Sequence, residues 1–468
     1  MTEINRLDIG PIVGHVDTTH ARVFGGANYE GLANGEPRRA FGIARIKKLG
    51  GSYRRPIFFK MLPNFDMTGL AIFQDLLSNE SYDYQMGWFY SDKELDELSV
   101  DQSWDWKACD SGRFKTASEN SSDQINFVFG SCRYLLKLFG GNWFDSRGDK
   151  TFRSILCQME NGTQLNKLLM VGDQIYADDL KFIGADSNAD EFCERYRDAF
   201  SQPHIKQLMA NIPTYMTLDD HEIEDNWPKH ATEKDHLTKY PHAIRAYEIY
   251  QLSHSPLLPH NNKGKLIASP DRYFYSFSDG CCDFFVTDTR TERDYTEGEI
   301  ISEEQMDALL TWLNDGSGKV KLVASAVPFF PDTKKANEDK WSAFKQQRDQ
   351  IIEHIQLNHI QKVVFLSGDV HCSMSAELDI SIQGGAPLKI MSIISSSFFW
   401  PYPHMKRRHF KVSGYVASEA DSNAYLITKV TKGFSGDNFT RVKVTPSGLV
   451  IEVFARKGGL VSFETFNL

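Results

Sequence analysis

The 468-residue chain has the composition of a soluble globular protein, with 41% hydrophobic and 24% charged residues. This composition excludes a disordered or fibrous protein, and the length allows two or three domains. The formal net charge of −10 argues against a nucleic-acid partner, because neutralising phosphates needs clustered Lys and Arg. We therefore expect an enzyme-sized protein that does not bind nucleic acid.

The first residues, MTEINRLDIG, lack the basic and apolar regions of an export signal, and no run of about 18 apolar residues occurs. We therefore expect a cytoplasmic protein without a membrane span. The cysteines have no regular spacing and do not predict a disulfide framework. Most of them are expected to be buried apolar fillers. The seven cysteines are Cys109, Cys132, Cys157, Cys193, Cys281, Cys282 and Cys372.

Residues 1–116 contain short strand-like segments, such as HARVFG and YRRPIFFKML, separated by clusters of Gly, Asn, Pro and Asp. Helical periodicity is confined to the stretch Thr68–Leu77. This pattern predicts a small all-β module, a sandwich. The polar stretch ASENSSDQ, residues 117–124, is typical of a linker.

From Ile125 onward, short apolar runs alternate with segments of helical period, as in an α/β domain with a mostly parallel sheet. Residues 301–318 begin with a capping box of Ser302 and Gln305, and residues 341–356 repeat the apolar periodicity. Both segments are predicted to be helices that cover a sheet. After Ser375, residues 424–430, 440–445 and 449–457 predict antiparallel strands that complete the core. We expect residues 125–468 to form one catalytic domain.

Five apolar runs end abruptly in polar residues: 125–133, 167–176, 213–222, 283–290 and 362–371. Parallel strands point their carboxyl ends toward the same edge of a sheet, so these polar residues are expected to converge there. A sixth run, 319–328, ends without charge and is expected to be structural. The residues at the five ends are Cys132, Arg133, Asp173, Tyr176, Asp219, Asp220, His221, Glu222, Asn226, Asp288, Arg290, Asp369 and His371.

Several carboxylates held close together cannot all stay ionised unless a cation compensates, so the pattern favours a metal site. Carboxylate oxygens suit Ca²⁺, Mg²⁺ or Mn²⁺, whereas a thiolate, a phenolate and an imidazole suit iron or zinc. Both ligand types are present, which indicates a mixed two-metal site that binds a phosphoryl oxygen and generates a hydroxide nucleophile. Taken singly, Asp173 also fits a helix cap, and Cys132, Tyr176 and His371 also fit core positions. Their joint occurrence at successive strand ends favours the metal site.

Other chemistries have weaker signals. The chain contains no G-x-S-x-G nucleophile elbow, no G-x-x-x-x-G-K-[ST] phosphate loop and no zinc-finger cysteine spacing. Residues 395–411 mix aromatic and basic side chains. This segment either lies over the crevice and meets an anionic substrate or is an ordinary surface loop.

With these motifs in hand, the chain resembles the PhoD-like (alkaline phosphatase D) family of the calcineurin-like metallophosphoesterases. The resemblance rests on GSCR, GDQIY, DDHEIEDN, VTDTR and SGDVH in this order, and on the helix EEQMDALLTWL. It covers residues 125–375, and the start GPIVGHVDTTHARVF is similar to that family's N-terminal β-sandwich. It implies a β-sheet sandwich flanked by helices that hydrolyses phosphomonoesters or phosphodiesters.

The resemblance also implies a site with iron and one or two calcium ions, with Mn, Mg or Zn as alternative metals. Roles then follow position by position. Cys132, Tyr176 and His371 would hold iron, and Asp173 would bridge the metals. Asp220 and Asp369 would complete the ligands of the second metal, with Asn226 as a further candidate. His221 would stand beside the phosphoryl group, and Arg133 and Arg290 would clamp the phosphate. Of the five carboxylates in residues 217–227, we expect one to bind metal.

Two positions depart from the family pattern. Asp225 stands where an Asn is common, and Arg133 stands where many relatives carry Gln. The main hypothesis is a metal-dependent phosphoester hydrolase with a small-molecule substrate. The alternative is a catalytically weak metal- or phosphate-binding protein with a role in sensing or assembly.

Overall fold

The computed structural model describes residues 2–28, 32–33, 36–37, 39–135, 137–138, 143–144, 146–178, 185–259, 261, 270–335, 338–418 and 425–468. Within the described part, residues 2–115 contain strands, turns and two short 3-10 helices, Pro63–Phe65 and Leu95–Glu97, and no α-helix. The strands are β1 (Thr2–Glu3), β2 (Ile9–Val16), β3 (Ala21–Gly26), β4 (Leu32–Ala33), β5 (Glu36–Pro37), β6 (Arg39–Lys48), β7 (Ile57–Lys60), β8 (Thr68–Phe73), β9 (Ser81–Ser91), β10 (Trp104–Asp105) and β11 (Asp110–Lys115).

The amino-terminal module is a β-sandwich, as predicted. One sheet has the strand order β11-β9-β6-β7, and the other has the order β2-β3-β8. The helical period at Thr68–Leu77 is misleading, because residues Thr68–Phe73 form β8, which pairs with β3 and buries Leu70, Ala71 and Phe73. Pairing with β3 overrides the local pattern, as tertiary context often does for short segments.

Strands and helices alternate after Ile125. The remaining strands are β12 (Ile125–Gly130), β13 (Lys137–Leu138), β14 (Trp143–Phe144), β15 (Lys167–Val171), β16 (Thr214–Thr217), β17 (Tyr275–Asp279), β18 (Cys282–Val286), β19 (Val320–Ser325), β20 (Val363–Ser367), β21 (Met374–Asp379), β22 (Lys389–Ile394), β23 (Gly414–Val416), β24 (Tyr425–Val430), β25 (Asn438–Thr445), β26 (Gly448–Ala455) and β27 (Leu460–Asn467). The helices are α1 (Lys150–Glu160), α2 (Ala189–Phe200), α3 (Pro203–Met209), α4 (Glu233–Leu237), α5 (Lys239–Tyr247), α6 (Glu303–Leu313) and α7 (Lys345–Leu357).

Two large mixed sheets form the centre of the molecule. Their strand orders are β16-β15-β12-β25-β26-β27 and β17-β18-β19-β20-β22-β21-β24-β23. Strands β12, β15 and β16 are mutually parallel, as are β18, β19 and β20. The sheets share a core in which Phe127 of β12 meets Phe284 of β18 edge to face, with ring centroids 5.7 Å apart.

Helices cover the outer face of the eight-stranded sheet. Met306 and Leu309 of α6 and Ile351 and Ile355 of α7 pack against this sheet, as the apolar periodicity predicts. Ser302 caps α6 by accepting a hydrogen bond from the Gln305 backbone N–H at 3.2 Å. The predicted α/β class and the sheet sandwich flanked by helices are therefore confirmed.

The amino-terminal module packs into the same core. Ile9, Ile12, Phe24 and Leu70 belong to the apolar cluster that lies between the two large sheets. The backbone N–H of His15 also donates to the carbonyl of His254 at 2.7 Å, across more than 200 residues of sequence. The boundary between residues 116 and 125 stays a prediction, since the two parts share buried surface.

The buried His254, which contacts the amino-terminal module, predicts that the stability of the protein depends on pH. Burial lowers the pKa of His254 to about 4, so the folded protein keeps this imidazole neutral while the unfolded chain protonates it near pH 6.5. The unfolded state therefore binds more protons between pH 6.5 and 4, and the stability contribution of His254 is lost as the pH falls. We expect the free energy of unfolding to fall by about 3 kcal/mol more in the wild type than in His254→Gln over this range.

Urea denaturation at several pH values measures this difference. Comparing slopes cancels the titration of the carboxylates, which both proteins share. His20→Gln is the matched control, because His20 is an exposed histidine of the amino-terminal module. Equal slopes in the wild type and His254→Gln would contradict the prediction.

Candidate active site

The carboxyl ends of the parallel strands in both large sheets meet at one edge of the molecule. The loop after β12 contacts the loop after β15, because the Cys132 N–H donates to the Gly172 carbonyl at 3.2 Å. The loop after β20 contacts the loop after β12, because the Asp369 N–H donates to Ser131 Oγ at 3.1 Å. The predicted convergence of strand ends therefore takes place.

The backbone turns sharply at this edge. Eleven non-glycine residues of the described chain have positive φ, and five of them are predicted site residues. Such conformations are unfavourable for L-residues and cluster at functional sites. The five are Cys132, Asp173, Asn226, Asp369 and His371.

Two glycines allow the loops to approach this closely. A Cβ at Gly172, where φ is +99°, would lie 2.6 Å from Asp219 Cβ. A Cβ at Gly368 would lie 2.2 Å from Ser131 Oγ. The glycines of the GDQIY and SGDVH motifs are therefore required by contact with neighbouring strand ends.

Five of the predicted metal ligands and catalytic groups lie together. Asp173, Asp220 and His221 each offer one ligand atom, and these three atoms lie within 4.8 Å of one another. Cys132 Sγ and the Tyr176 hydroxyl each lie 3.2 Å from Asp173 Oδ2, as donors. Asp173 is therefore central to the cluster, as a bridging ligand would be.

The other three predicted ligands lie at the rim. Asn226 donates its backbone N–H to Asp220 Oδ2 at 2.6 Å. Asp369 and His371 are half-buried, and His371 stacks on Trp400 with ring centroids 4.0 Å apart. The cluster thus has a buried floor and a more accessible rim.

Buried carboxylate oxygens make this donor set suitable for metal ions. Within the described residues, Asp173 Oδ1 and Asp220 Oδ1 are buried and accept no hydrogen bond, although Asp220 Oδ1 lies 3.6 Å from Arg290 Nη2, and the buried Asp369 Oδ2 pairs with Lys340. Leaving a charged acceptor buried and unsatisfied is costly. Cations bound among these oxygens would satisfy them, so the residues fit the metal site predicted from the sequence.

The electrostatics of the floor require the same compensation. Burial raises the pKa of Asp173 well above its usual range, and the charges of Asp219 and Asp220 raise it further. Burial and the charge of Asp173 likewise raise the pKa of the Cys132 thiol and the Tyr176 phenol. Added positive charge is therefore needed before these groups can act as anionic ligands.

The carboxylates of Asp219–Asp225 have two roles: several stabilise the local structure, and one is a candidate metal ligand. Glu222 accepts backbone hydrogen bonds from Asp173, Gln174 and Asp219 at 3.1, 2.6 and 2.8 Å, which joins two strand ends. Asp219 pairs with Arg290, and Glu224 pairs with Lys239 at 2.7 Å. Of the five carboxylates in this stretch, only Asp220 enters the ligand cluster.

Asp178 orients His221, and the sequence reasoning missed it. His221 Nδ1 lies 2.8 Å from Asp178 Oδ2, so Nδ1–H is assigned as the donor and Nε2 is left for other partners. Burial lowers the pKa of His221, but Asp220 and Asp178 outweigh burial and hold it well above the usual range. The signal was present in the motif GDQIYADD, whose later aspartates follow the metal ligand directly.

The expectation that Arg133 clamps the phosphate is wrong. Arg133 is fully buried, its Nη1 donates to the Ala199 carbonyl at 2.6 Å, and its guanidinium lies over the Phe152 ring. Although the Arg133 backbone lies at the strand end, its side chain points into the core between the sheet and α1 and α2. It cannot reach a ligand at the metal cluster.

Arg290 is also unsuited to clamping a phosphate. Its guanidinium is fully buried and pairs with Asp219 and Asp339, and its Nη1 donates to the Trp227 carbonyl at 3.1 Å. These partners use its donors from three directions. Arg290 instead neutralises the carboxylates behind the cluster, with Asp220 Oδ1 3.6 Å from its Nη2.

Asp339 and Lys340 are further charged residues that sequence reasoning missed. Lys340 Nζ lies 2.8 Å from Asp339 Oδ2 and forms an ion pair with Asp369 Oδ2. Burial lowers the pKa of Lys340, but Asp339 and Asp369 outweigh burial and raise it above its usual range. No strand-end motif marks these residues, because they precede a helix.

The segment 395–411 borders the cluster through its aromatic residues. Phe398 N–H donates to Ser131 O at 2.8 Å and Tyr134 N–H donates to Phe399 O at 3.0 Å, which fixes this segment beside the first strand end. Trp400, half-buried, then packs on His371 and on Tyr176, with the latter centroids 5.6 Å apart.

A separate polar cleft of about 770 Å³ lies at the opposite end of the strands, around Asn126, Asn166 and Asp279. Asp279 there is paired with Lys167. Among the described residues that line this cleft, no group of buried carboxylates lacks hydrogen-bond partners as the strand-end cluster does. Convergent chemistry, and not cavity size, therefore identifies the candidate site.

Comparisons with known proteins identify related sequences. A model of the PhoD-like phosphatase family matches residues 138–398. Alkaline phosphatase D of Bacillus subtilis (strain 168) is 26% identical over 220 residues, which cover 41% of this chain and 37% of that relative. The match thus spans less than two-fifths of the curated relative's length.

Solved structures share the fold. The structure of PhoD superposes with a TM-score of 0.69 at 16% identity, covering 99% of this chain and 90% of that chain. Purple acid phosphatase PPD1 from yellow lupin (Lupinus luteus) superposes with a TM-score of 0.58 at 13% identity, covering 98% and 74%. Among the described residues, no helix combines the length and apolarity needed to cross a membrane.

The unpartnered oxygens predict that metal binding stabilises the protein and depends on Asp173. With free Mn²⁺ at 100 times its Kd, we expect a gain of about 2.7 kcal/mol over the chelated protein. Asp173→Asn should lose most of this gain, because the central oxygen ligands are weakened. Thermal denaturation with and without Mn²⁺, together with elemental analysis, measures the effect.

Asp379→Asn is the matched control, since Asp379 lies at the end of β21 and outside the cluster. It should keep both the metal content and the stabilisation of the wild type. An Asp173→Asn protein with unchanged metal content and unchanged stabilisation would refute this ligand assignment.

Proposed function

The chain belongs to the PhoD-like phosphatase family, and from this premise we propose that it is a metal-dependent hydrolase of small-molecule phosphoesters. The proposal rests on the cluster around Asp173. There a thiol, a phenol and an imidazole lie beside the carboxylates of Asp173 and Asp220, and each of these carboxylates keeps one buried oxygen without a hydrogen-bond partner. Catalysis is assigned to residues 125–468, because every proposed ligand lies in that range, and residues 1–116 form a supporting module.

The proposed ligands divide by chemical softness. Cys132, Tyr176 and His371 suit iron, with zinc as an alternative, because they offer sulfur, phenolate and imidazole. Asp220, Asp369 and Asn226 suit calcium, with Mg or Mn as alternatives, because they offer oxygen. Asp173 serves both metals. When bound, the metals would polarise the phosphoryl group and activate water.

His221 is proposed to act on the reacting phosphoryl group. The hydrogen bond to Asp178 fixes the imidazole through Nδ1 and leaves Nε2 as the only ring nitrogen free to meet a substrate. The negative charges of Asp220 and Asp178 raise the pKa of His221 and favour the protonated ring, from which Nε2–H can stabilise developing charge or protonate the leaving oxygen. A neutral leaving group is then released without help from bulk water.

The first test of function compares p-nitrophenyl phosphate with bis(p-nitrophenyl) phosphate, using purified protein and His221→Asn. We expect His221→Asn to lower kcat/KM about 10²- to 10⁴-fold, as loss of a general acid does, with the metal content unchanged. His20→Asn is the control, because His20 lies on the exposed surface of the amino-terminal module.

Turnover that is unchanged in His221→Asn would refute the assigned role. A metal-loaded wild type that hydrolyses no mono- or diester in a wider panel would instead favour a metal- or phosphate-binding protein with a role in sensing or assembly.

A second prediction concerns Asp178 as a positioning residue. Asp178→Asn should lower kcat at least tenfold with little change in KM or metal content, because the amide supports the wrong tautomer and charge of His221. Asp178→Glu should recover part of the loss. Steady-state kinetics give kcat and KM separately, and a change confined to the melting temperature would show that Asp178 is merely structural.

A further inference from the structure

The cations around the candidate site differ in which groups they contact. Arg133 donates into the core, and Arg290 is held by Asp219 and Asp339. Arg293 donates to the Thr289 carbonyl at 2.9 Å and to Asp339 at 2.6 Å. None of these three guanidinium groups is paired with a predicted oxygen ligand at the accessible rim.

Lys340 is placed differently. Its side chain is only 8% exposed, and its ammonium group lies between Asp339 and Asp369. Asp339 is shared with Arg290 and Arg293, so its charge is already compensated. The other partner, Asp369, belongs to the rim, where its side chain is 15% exposed. Lys340 therefore directs a positive charge at the side of the cluster that a substrate would approach.

We propose that Lys340 binds the phosphoryl group of the substrate and of the phosphate product. This inference rests on the proposed function, because it adds a substrate-binding residue to the same site. It assigns to Lys340 the phosphate-binding role for which the sequence had suggested Arg133 and Arg290.

Charge and the number of hydrogen-bond donors on Lys340 favour this role. An oxygen of Asp369 that coordinates a metal ion cannot keep a close ammonium contact at the same position, because the two cations repel each other. Lys340 would retain Asp339 and be left with donors to satisfy, since an ammonium group has three. A phosphoryl oxygen at the rim supplies the missing acceptor and the missing negative charge.

A second buried lysine, Lys321, allows a comparison with Lys340. Lys321 is 4% exposed and also pairs with two carboxylates, Asp283 at 3.0 Å and Asp315 at 2.5 Å. It lies near the start of β19, away from the strand ends, and neither partner is a predicted ligand. Burial between two carboxylates is thus common to both lysines, and only Lys340 pairs with a group of the cluster.

The experiment measures inorganic phosphate binding to Mn²⁺-loaded protein by calorimetry, and phosphate inhibition of turnover. Lys340→Met should weaken phosphate binding at least tenfold with the metal content unchanged, because it keeps the length of the side chain and removes its charge. Lys340→Arg should recover part of the affinity. Lys321→Met should bind phosphate as the wild type does, and circular dichroism verifies that each variant is folded.

The outcomes separate this inference from the proposed function. Unchanged phosphate affinity in folded, metal-loaded Lys340→Met overturns the inference. If this variant also binds metal more tightly than the wild type, Lys340 only competes with the metal for Asp369. If the wild type hydrolyses no ester but Lys340→Met loses phosphate affinity, the inference stands and the hydrolase proposal fails. If the wild type turns over and Lys340→Met matches it in rate and phosphate inhibition, only the inference fails.

Discussion

Repulsion among carboxylates at the ends of the parallel strands is the constraint on which the rest of the site depends. Strands β15, β16 and β20 end at one edge, so the buried Asp173 and Asp220 converge there with the half-buried Asp369. Burial alone would keep such groups protonated. The surrounding chain supplies positive charge selectively: behind the cluster, Arg290 compensates Asp219, and at the rim Lys340 faces Asp369.

The placement of these positive charges explains why some acidic residues at the site are structural and others are candidate metal ligands. Asp219 Oδ1 accepts from Arg290, and both oxygens of Glu222 accept from backbone N–H groups, so these two carboxylates stabilise the loops in which they lie, although Asp219 Oδ2 has no hydrogen-bond partner in the described chain. Asp173 and Asp220 each keep one oxygen without a hydrogen-bond partner in the described chain. A residue of the same type thus serves structure or ligation according to what its neighbours donate, and not according to its place in a motif.

The sequence predicts which strand ends meet at the edge of the sheets, but it does not predict in which direction the side chains there point. Parallel-strand logic brings Cys132, Asp173 and Asp220 together correctly, because the backbone path alone determines where strands end. It failed for Arg133, since a long side chain at a strand end can point outward to solvent or back toward a helix, and packing on Phe152 decides between them.

Lys340 was missed for a different reason. It reaches the cluster from the segment before α7, and no local pattern connects it with Asp369, which lies 29 positions later in the sequence. The short strand β8 shows the same limit within the fold, since pairing with β3 overrides its helical period. Contacts between distant segments decide these cases, and a single sequence does not encode them in a readable local form.

The backbone of the site depends on such distant contacts as well. Cys132, Asp173 and Asp369 adopt left-handed conformations that an isolated loop would abandon, and hydrogen bonds between the loops hold them. The segment 398–399 pairs with residues 131–134, more than 260 positions earlier, and thereby fixes Trp400 against His371. The ligand cluster therefore forms only when both large sheets are assembled, so metal affinity and folding stability are linked quantities. Any substitution that loosens the contact between the sheets should weaken metal binding even when every ligand is intact.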